Sequence, residues 1–220
     1  MVTQARAVET RHTVIAAAAE IFEERGYGNT SLSDVIERAN VTKGAFYYHF
    51  ATKEDLAAAI IEQANNAFGT ALDAELGAPS PMLEKLIRVP FIAVDMMRND
   101  QLIRVGYALR MAANQVTLAA GAVLEQRRAT FVGAVKTAIA EGDLNSDIDP
   151  EELGHTIWAS VTGTHVMAAA SHDNVVSRLA QVWRIILAGT VPPELLPYFR
   201  QFLSRVEQQY ASAQPDEVSP

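Results

Sequence analysis

The N-terminal part of the sequence predicts two short helices joined by a tight turn, and this arrangement restricts the fold more than any other feature. Ser31 with Asp34 forms a capping pair at the start of the segment LSDVIERA, which predicts the first of them. After the turn, Thr42 is in position to cap a second helix over residues 43–49. The spacing of the two helices is that of a helix-turn-helix.

Helical periodicity extends over most of the remaining chain, and no stretch alternates as a strand would. Thr52 with Asp55 predicts one further helix start, and Asp149 with Pro150 predicts another. Pro90 is expected to kink or end the helix that contains it. The predicted helices cover residues 7–25, 32–39, 43–49, 53–74, 81 onward, 101–113, 116–141, 150–170, 174–189 and 193–211. The sequence therefore predicts an all-α fold.

Composition narrows the class of protein. The chain has 220 residues, a formal net charge of −8 and no cysteine, which excludes disulfides, thiolate nucleophiles and zinc–thiolate sites. No apolar run resembles a signal peptide or reaches the roughly 20 residues of a membrane span. We therefore expect a cytoplasmic protein that contacts no membrane.

Enzymatic and metal chemistry find little support in the sequence. It contains no glycine-rich phosphate loop and no nucleophile elbow. Glu152 and His155 are spaced to lie on one helix face, but di-metal bundles need this motif twice. A helix start rich in acidic residues is the simpler explanation. We expect no enzyme activity, no cofactor and no metal.

Charge along the N-terminal region is uneven. The stretch from Arg38 to Lys53 contains no Asp or Glu, whereas residues 1–60 together hold six Lys or Arg and eight Asp or Glu. A local basic face with lysine, tyrosine and threonine donors suits phosphate contacts on DNA. The alternative is an ordinary helical hairpin whose aromatic residues are core, and these residues alone leave both open.

The aromatic run in the second short helix separates into two faces. Phe46 and Phe50 fall on one face and are predicted to be core. Tyr47 and Tyr48 cannot both share that face. At least one of them is therefore expected to face solvent beside Lys43.

The motifs of this region occur together in one known family. The segments RGYGNTSLSDV and VTKGAFYYHFATKEDLA, within the stretch from Arg11 to Leu56, resemble the DNA-binding domain of TetR-family repressors. Downstream, LNSDID, HTIWASVTGT and VWRIILAGTVP are similar to one branch of that family, the γ-butyrolactone autoregulator receptors. The resemblance implies an N-terminal three-helix helix-turn-helix DNA-binding domain, residues 1–52. A C-terminal helical ligand-binding and dimerisation domain, residues 53–212, and a disordered tail, residues 213–220, would follow.

The resemblance also implies the partners and the function. These are a palindromic double-stranded operator, a second copy of the chain, and a small hydrophobic inducer, such as a γ-butyrolactone autoregulator or an antibiotic, that releases the repressor from DNA. Within the family, the alternative is a multidrug-type repressor with a broad pocket. Outside it, the alternative is a helical ligand-binding protein or enzyme that has lost DNA binding.

The DNA contacts of the family can be carried over position by position. Lys43 is the candidate for a guanine edge, and Gly44 lets the backbone approach the duplex. Arg6 and Arg11 reach toward phosphates or a minor groove, or are simply solvated. The resemblance implies DNA-contacting residues at Thr30, Ser31, Thr42, Lys43, Gly44, Tyr47, Tyr48, His49 and Lys53, and Arg6 and Arg11 are further candidates.

The ligand-binding candidates are less sharply defined, because each of them could equally be core. Trp158 and Thr162 lie at i and i+4 and would combine an aromatic plane with a hydroxyl. Arg127 aligns with a tryptophan that the receptor branch typically carries, so the ligand differs or the chain is a pseudo-receptor that answers to another metabolite. Arg127 could also pair with an acidic ligand or be solvated. The candidates are Phe91, Tyr107, Met111, Leu124, Arg127, Trp158, Val161 and Thr162.

The last two helices before the C-terminal one are apolar on too many faces for a lone domain surface. We therefore expect them to form the contact between two subunits. The predicted dimer residues are Val166, Val176, Leu179, Val182, Trp183 and Ile186.

Overall fold

The chain folds into helices joined by short connections. A computed structural model describes residues 2–112, 118–171 and 173–212. Within these ranges there are ten helices and no strand. The all-α prediction is confirmed. The predicted tail, residues 213–220, lies outside the described residues.

The ten helices are α1 (Val2–Arg25), α2 (Leu32–Arg38), α3 (Lys43–His49), α4 (Lys53–Leu76), α5 (Met82–Asn99), α6 (Gln101–Ala112), α7 (Leu118–Glu141), α8 (Pro150–Ser171), α9 (Val175–Thr190) and α10 (Leu196–Ala211).

The helix starts follow the predicted caps. The Ser31 hydroxyl accepts a hydrogen bond from the Asp34 amide at 3.2 Å, and the Asp34 carboxylate accepts one from the Ser31 amide at 2.8 Å. Thr52 and Asp55 exchange the same pair of bonds, each at 3.0 Å. At α8, Asp149 accepts from the amide of residue 151 at 2.7 Å. Each cap satisfies an amide that the helix itself leaves unpaired.

Three boundaries differ from those predicted. Helix α1 begins at Val2, five residues before the expected start. Helix α5 does not end at Pro90 but continues to Asn99, because that turn is buried with Ile87, Phe91 and Val94, whose burial offsets the cost of the proline. Helix α10 begins at Leu196 rather than at 193, since a turn at Pro192 precedes it.

The described helices divide into two compact units. Of the described residues, the first contains 2–70 and 96–112, and therefore α1, α2, α3, α6 and most of α4. Its core joins side chains of α1, α2, α3 and α4 with Val105 and Leu109 of α6. At Gly106, a Cβ atom would meet the Ala64 Cβ at 2.5 Å, so α6 lies directly on the backbone of α4.

A polar cluster also fixes α6 to α1 within the first unit. The Arg104 Nε donates to Glu23 Oε1 at 2.5 Å, and Gln101 Nε2 donates to Glu23 Oε2 at 2.6 Å. The hydrogen bond from Arg104 holds the pKa of Glu23 below its ordinary value. The helix that carries Tyr107 and Met111 is therefore part of the same unit as the helix-turn-helix.

Of the described residues, the second unit contains 71–95, 118–171 and 173–212. Helices α7 and α8 approach closely at Gly154, where a Cβ atom would meet the Val132 Cα at 2.7 Å. Trp183 and Phe199 are fully buried on α9 and α10. Arg88 on α5 donates to Glu75 at 2.6 Å and to Ser80 at 2.8 Å, which pairs its partly buried charge. None of the described helices has the length and apolar character needed to cross a membrane.

Candidate functional site

Helix α3 is short, and its buried side separates cleanly from its exposed side. The Thr42 hydroxyl accepts a hydrogen bond from the Ala45 amide at 3.2 Å and caps the helix. Phe46 is fully buried and Phe50 is 3% exposed, with ring centroids 6.0 Å apart. The prediction that these two aromatics are core is confirmed. They anchor a seven-residue helix that could not be stable alone.

The opposite side of α3 presents its polar and aromatic groups to solvent. Tyr47 is 52% exposed and Tyr48 is 78% exposed, so both tyrosines face outward, where at least one was predicted to do so. Lys43 and Gly44 are exposed on the same short helix. A Cβ atom at Gly44 would meet nothing within 4 Å, so nothing in the described chain blocks an approach to this turn.

His49 and Arg11 lie at the edges of this face. The His49 ring packs edge-on to Tyr48, with centroids 4.9 Å apart. The Arg11 guanidinium lies 5.5 Å from the centre of the Phe50 ring, which holds this cation of α1 close to the C-terminal end of α3. Arg6 is exposed more than one helical turn earlier on α1. We call Arg11, Thr42, Lys43, Gly44, Tyr47, Tyr48 and His49 the α3 surface.

The structure uses two of the predicted DNA contacts internally. Thr30 is 3% exposed, and its hydroxyl donates to the Gly26 carbonyl at 3.0 Å. The Lys53 ammonium donates to the carbonyls of Tyr27 and Thr30 at 2.7 and 2.8 Å and lies 4.3 Å from the centre of the Tyr27 ring. These bonds tie the loop before α2 to α4, and they use the proton of the Thr30 hydroxyl and two of the three donors of the Lys53 ammonium. Ser31 is exposed, but its hydroxyl serves the cap of α2 beside the Asp34 carboxylate.

The local positive charge is smaller than the acid-free stretch predicts, because Arg38 is neutralised by acidic residues of α1. Its guanidinium pairs with Glu24 at 2.7 Å and with Glu20 at 3.1 Å, both on α1. The hydrogen bond with Arg38 lowers the pKa of the Glu24 carboxyl. Lys43, by contrast, forms no ion pair with any described residue. The α3 surface is therefore positive because of Lys43 and Arg11, not because of the whole stretch.

The predicted ligand residues are distributed over both units. Tyr107 and Met111 are half-buried on α6 in the first unit. In the second unit, Phe91 is fully buried and its ring centre lies 5.8 Å from that of Tyr210. Arg127 is half-buried on α7, and the side chain of Leu124 lies outside the described residues.

Trp158, Val161 and Thr162 share one side of α8. Val161 is 8% exposed, and Trp158 and Thr162 are half-buried. The Trp158 ring centre lies 6.0 Å from that of His155. Among the described residues, no group of three His, Asp or Glu side chains is arranged to hold a metal ion, although His155 belongs to the metal-like spacing noted above.

Three of the six predicted dimer residues belong to the interior of a single chain. Val176, Leu179 and Trp183 are fully buried, so the structure gives them a core role rather than a place in a subunit contact. Val182 and Ile186 are half-buried, and Val166 is 42% exposed. The largest exposed apolar side chains on these two helices are Met167, at 72%, and Ile185, at 76%, and neither was predicted. Helix α9 thus has a buried face and an exposed apolar face.

The indole of Trp183, which the sequence analysis assigned to the subunit contact, is a further candidate for the ligand site. Its side chain is fully buried, yet Nε1 has no hydrogen-bond partner among the described residues. A buried N–H without an acceptor is costly, and a bound ligand could supply the acceptor. The sequence could have indicated that Trp183 is buried. Leu179 and Leu187 lie four residues before and after it, so the three side chains share one face of α9.

Comparisons with known proteins agree with this arrangement. Residues 14–60 match the sequence model of the bacterial regulatory proteins of the tetR family, and residues 80–192 match that of the tetracyclin repressor-like C-terminal domain. The A-factor receptor protein of Streptomyces griseus is 29% identical over 91% of this chain and 70% of its own length.

Solved structures extend the likeness to the fold. A γ-butyrolactone receptor described as ArpA-like is 32% identical, with a TM-score of 0.76 over 93% of this chain and 98% of the other. CprB from Streptomyces coelicolor, in complex with its operator sequence, is 34% identical, with a TM-score of 0.74 over 93% of this chain and 99% of the other. With both halves of the chain matched, the protein belongs to the TetR family of bacterial regulatory proteins.

Proposed function

We propose that this protein is a ligand-responsive transcriptional repressor that binds a palindromic operator as a homodimer. The observation that carries the proposal is the α3 surface, where Lys43, Tyr47 and Tyr48 face solvent on a helix anchored by two buried phenylalanines. Tyrosine hydroxyls and cations without an ion-pair partner are suited to bind the phosphates of a polyanion such as DNA. The family membership and the operator complex of CprB support the same function.

The domain assignment is part of this proposal. Residues 1–52 would bind DNA, and residues 53–212 would bind the inducer and dimerise. Helix α6 contacts both α1 and α4. A ligand acts only through its different affinity for two conformations of the protein.

Operator binding is the first prediction. The preferred DNA would be selected from random duplexes with the parent protein. Lys43→Ala and Tyr47→Ala are each expected to weaken binding at least about tenfold, because each removes a donor to a base edge or a phosphate. A gel shift measures this, and binding should weaken as salt rises.

Lys136→Ala is the matched control for operator binding, since this exposed lysine on α7 is paired with Glu151 at 3.0 Å. It should bind DNA like the parent. Selected duplexes without dyad symmetry, or full binding by both α3 variants, would contradict the proposed function.

The subunit contact is the second prediction. We propose that the exposed side chains Val166, Met167 and Ile185, with the half-buried Val182 and Ile186, form it. Burying such apolar area stabilises a dimer, and a charge placed there would have to be desolvated. The double variant Met167→Asp, Ile185→Asp should therefore sediment as a monomer at micromolar concentration.

Val8→Asp is the control for the dimer prediction, because Val8 is 54% exposed on α1 in the other unit. It should sediment like the parent. A monomeric parent protein would contradict the proposed homodimer. A double variant that is still dimeric would show that the subunit contact lies elsewhere.

The inducer is proposed to be a small, largely hydrophobic molecule of the γ-butyrolactone type or an antibiotic. The receptor names of the relatives support this class, and a broad-pocket multidrug-type repressor is the alternative. Phe91, Trp158, Val161 and Thr162 are the proposed apolar and hydroxyl contacts in the second unit.

Trp158→Ala tests this assignment and is the third prediction. Loss of the indole should weaken binding of γ-decalactone and of its ring-opened acid alike, by about 2 kcal/mol or more, since an aromatic anchor contributes contact area to either. DNA binding should remain near that of the parent. Titration calorimetry measures the affinities, and a melting curve shows that the variant is folded. Unchanged affinity for both molecules in a folded variant would place the ligand elsewhere.

A further inference from the structure

The turn between α2 and α3 is closed by backbone hydrogen bonds between near neighbours. The amide of Asn40 donates to the Glu37 carbonyl at 3.0 Å, and that of Val41 donates to the Ile36 carbonyl at 3.3 Å. Asn40 has a φ of 50°, the left-handed conformation that ends a helix in this pattern. The Thr42 cap of α3 follows directly. Because hydrogen bonds fix the connection at both ends, α2, the turn and α3 form one rigid piece.

The α3 surface is not carried by this rigid piece alone. Arg11 belongs to α1, and its guanidinium lies against the Phe50 ring at the end of α3. The separation of Arg11 and Lys43, the two cations of the surface, therefore depends on how the rigid piece lies on α1. Val35 and Ile36 hold α2 in the core, but apolar packing is non-directional and specifies an orientation less strictly than hydrogen bonds do.

Arg38 supplies directed bonds between α1 and the rigid piece. It is the last residue of α2, and its guanidinium donates to both carboxylate oxygens of Glu24, at 2.9 and 2.7 Å, and to Glu20 at 3.1 Å. The two glutamates are one turn apart on α1, so a single planar fork reaches both. Partly exposed ion pairs contribute little to stability, whereas a bidentate fork fixes the relative orientation of the two helices.

We propose that Arg38 is a positioning residue for operator binding. It fixes the orientation of α2 on α1, and thereby keeps Arg11 and Lys43 at the separation that the duplex requires, without contacting DNA itself. The inference rests on the proposed function, because it concerns the same α3 surface and the same operator.

Arg38→Gln removes the fork, and its effect is measured by gel shift with the duplex selected by the parent protein. Operator binding should weaken about tenfold, because the free protein no longer holds the arrangement that the complex needs. The salt dependence of the affinity should keep the slope of the parent, whereas Arg11→Gln should lower that slope by about one, as the loss of a phosphate contact does. Arg38→Lys keeps a charge without the planar fork, so it should restore only part of the affinity.

An exchange of charges separates pairing from a direct contact with DNA. Arg38→Glu alone places three carboxylates together, so it should weaken operator binding at least about tenfold. The double variant Arg38→Glu, Glu24→Arg restores an ion pair between α1 and α2 with the net charge unchanged. Its affinity should return to within about threefold of the parent. A direct contact between Arg38 and a phosphate would leave the double variant as weak as Arg38→Glu.

Arg128→Gln is the matched control. The Arg128 side chain is 31% exposed, close to the 32% of Arg38, and it also pairs with two glutamates, Glu125 and Glu151, but it lies in the second unit. This variant should bind the duplex like the parent. Melting curves show which variants are folded at the temperature of the gel shift. If Arg38→Gln fails to fold, Arg38→Lys and the charge-exchanged double variant decide.

Three outcomes overturn the inference: folded Arg38→Gln binds the selected duplex like the parent, its salt slope falls by about one, or the exchange of charges gives no recovery. A parent protein that binds no selected duplex removes the proposed function, and the inference falls with it. A parent that binds its duplex, together with any of the three outcomes, removes only the inference.

Discussion

Replacing Gly154 by alanine is expected to destabilise the second unit by about 3 kcal/mol, the upper part of the usual range for an overpacked core. A Cβ atom there would meet Val132 at three points, the Cα at 2.7 Å, the Cγ2 at 2.8 Å and the amide nitrogen at 2.9 Å. Two of the three are backbone atoms, which no rotamer change can move. Helices α7 and α8 would have to separate, and that loss exceeds the roughly 1 kcal/mol that alanine gains over glycine in a helix.

Both tryptophans of the chain, Trp158 and Trp183, lie in the second unit, so their fluorescence follows its unfolding selectively. Urea unfolding followed in this way should show the lower midpoint of Gly154→Ala. Gly163→Ala, on the same helix, is the control, because its Cβ would meet nothing within 4 Å. It should be neutral or slightly stabilising.

A second substitution tests whether the backbone of α7 is the cause. Val132→Ala removes the Cγ2 contact but leaves both backbone contacts in place. The double variant should therefore remain less stable than Val132→Ala alone, because truncating the buried Val132 has a cost of its own. A double variant as stable as Val132→Ala would show that a side chain, not the helix backbone, limits the approach.

Gly106→Ala is expected to destabilise the first unit by about 2 kcal/mol. Its Cβ would lie 2.5 Å from the Ala64 Cβ and 3.1 Å from the Ile60 carbonyl oxygen. Unlike the contact at Gly154, the closest obstacle is a methyl group, so Ala64→Gly should relieve most of the strain. The double variant should be more stable than the sum of the two single changes predicts.

Hydrogen exchange read by mass spectrometry locates the effect of Gly106→Ala. Peptides of α4 and α6 should exchange faster in the single variant and recover in the double variant, while peptides of α9 remain like the parent. Strict additivity of the two substitutions would mean that α6 does not rest on α4 at this point.

The parts of the fold that depend on near neighbours in the chain were predictable. The caps at Ser31, Thr42 and Thr52 each use a hydrogen bond to a residue three positions away, so their geometry follows from local sequence. The burial of Phe46 and Phe50 follows in the same way from the helical period. These contacts arise within one or two turns and need no partner element.

The charge of the α3 surface was predicted only in part. A stretch of sequence without acidic residues can still meet acidic residues from another helix when the chain folds. Arg38 and Lys53 border the acid-free stretch, but α1 brings Glu24 to Arg38, and two loop carbonyls accept from Lys53. Carboxylates neutralise Arg38, and two of the three donors of Lys53 are bonded within the chain. Lys43 and Arg11 remain, and Arg11 is remote in sequence from α3.

Helix α9 shows the same limit for apolar residues. Its sequence is rich in large apolar side chains and indicates that the helix is covered on more than one side, but not by what. The fold buries Val176, Leu179 and Trp183 within one chain and leaves Ile185 exposed. Sequence by itself determined the helices, their caps and the outward face of α3, since these follow from interactions a few residues apart. Only the tertiary structure decided which cations are neutralised, which glycines allow helices to touch and which apolar face is left for a partner, because these depend on residues that meet only when distant helices pack.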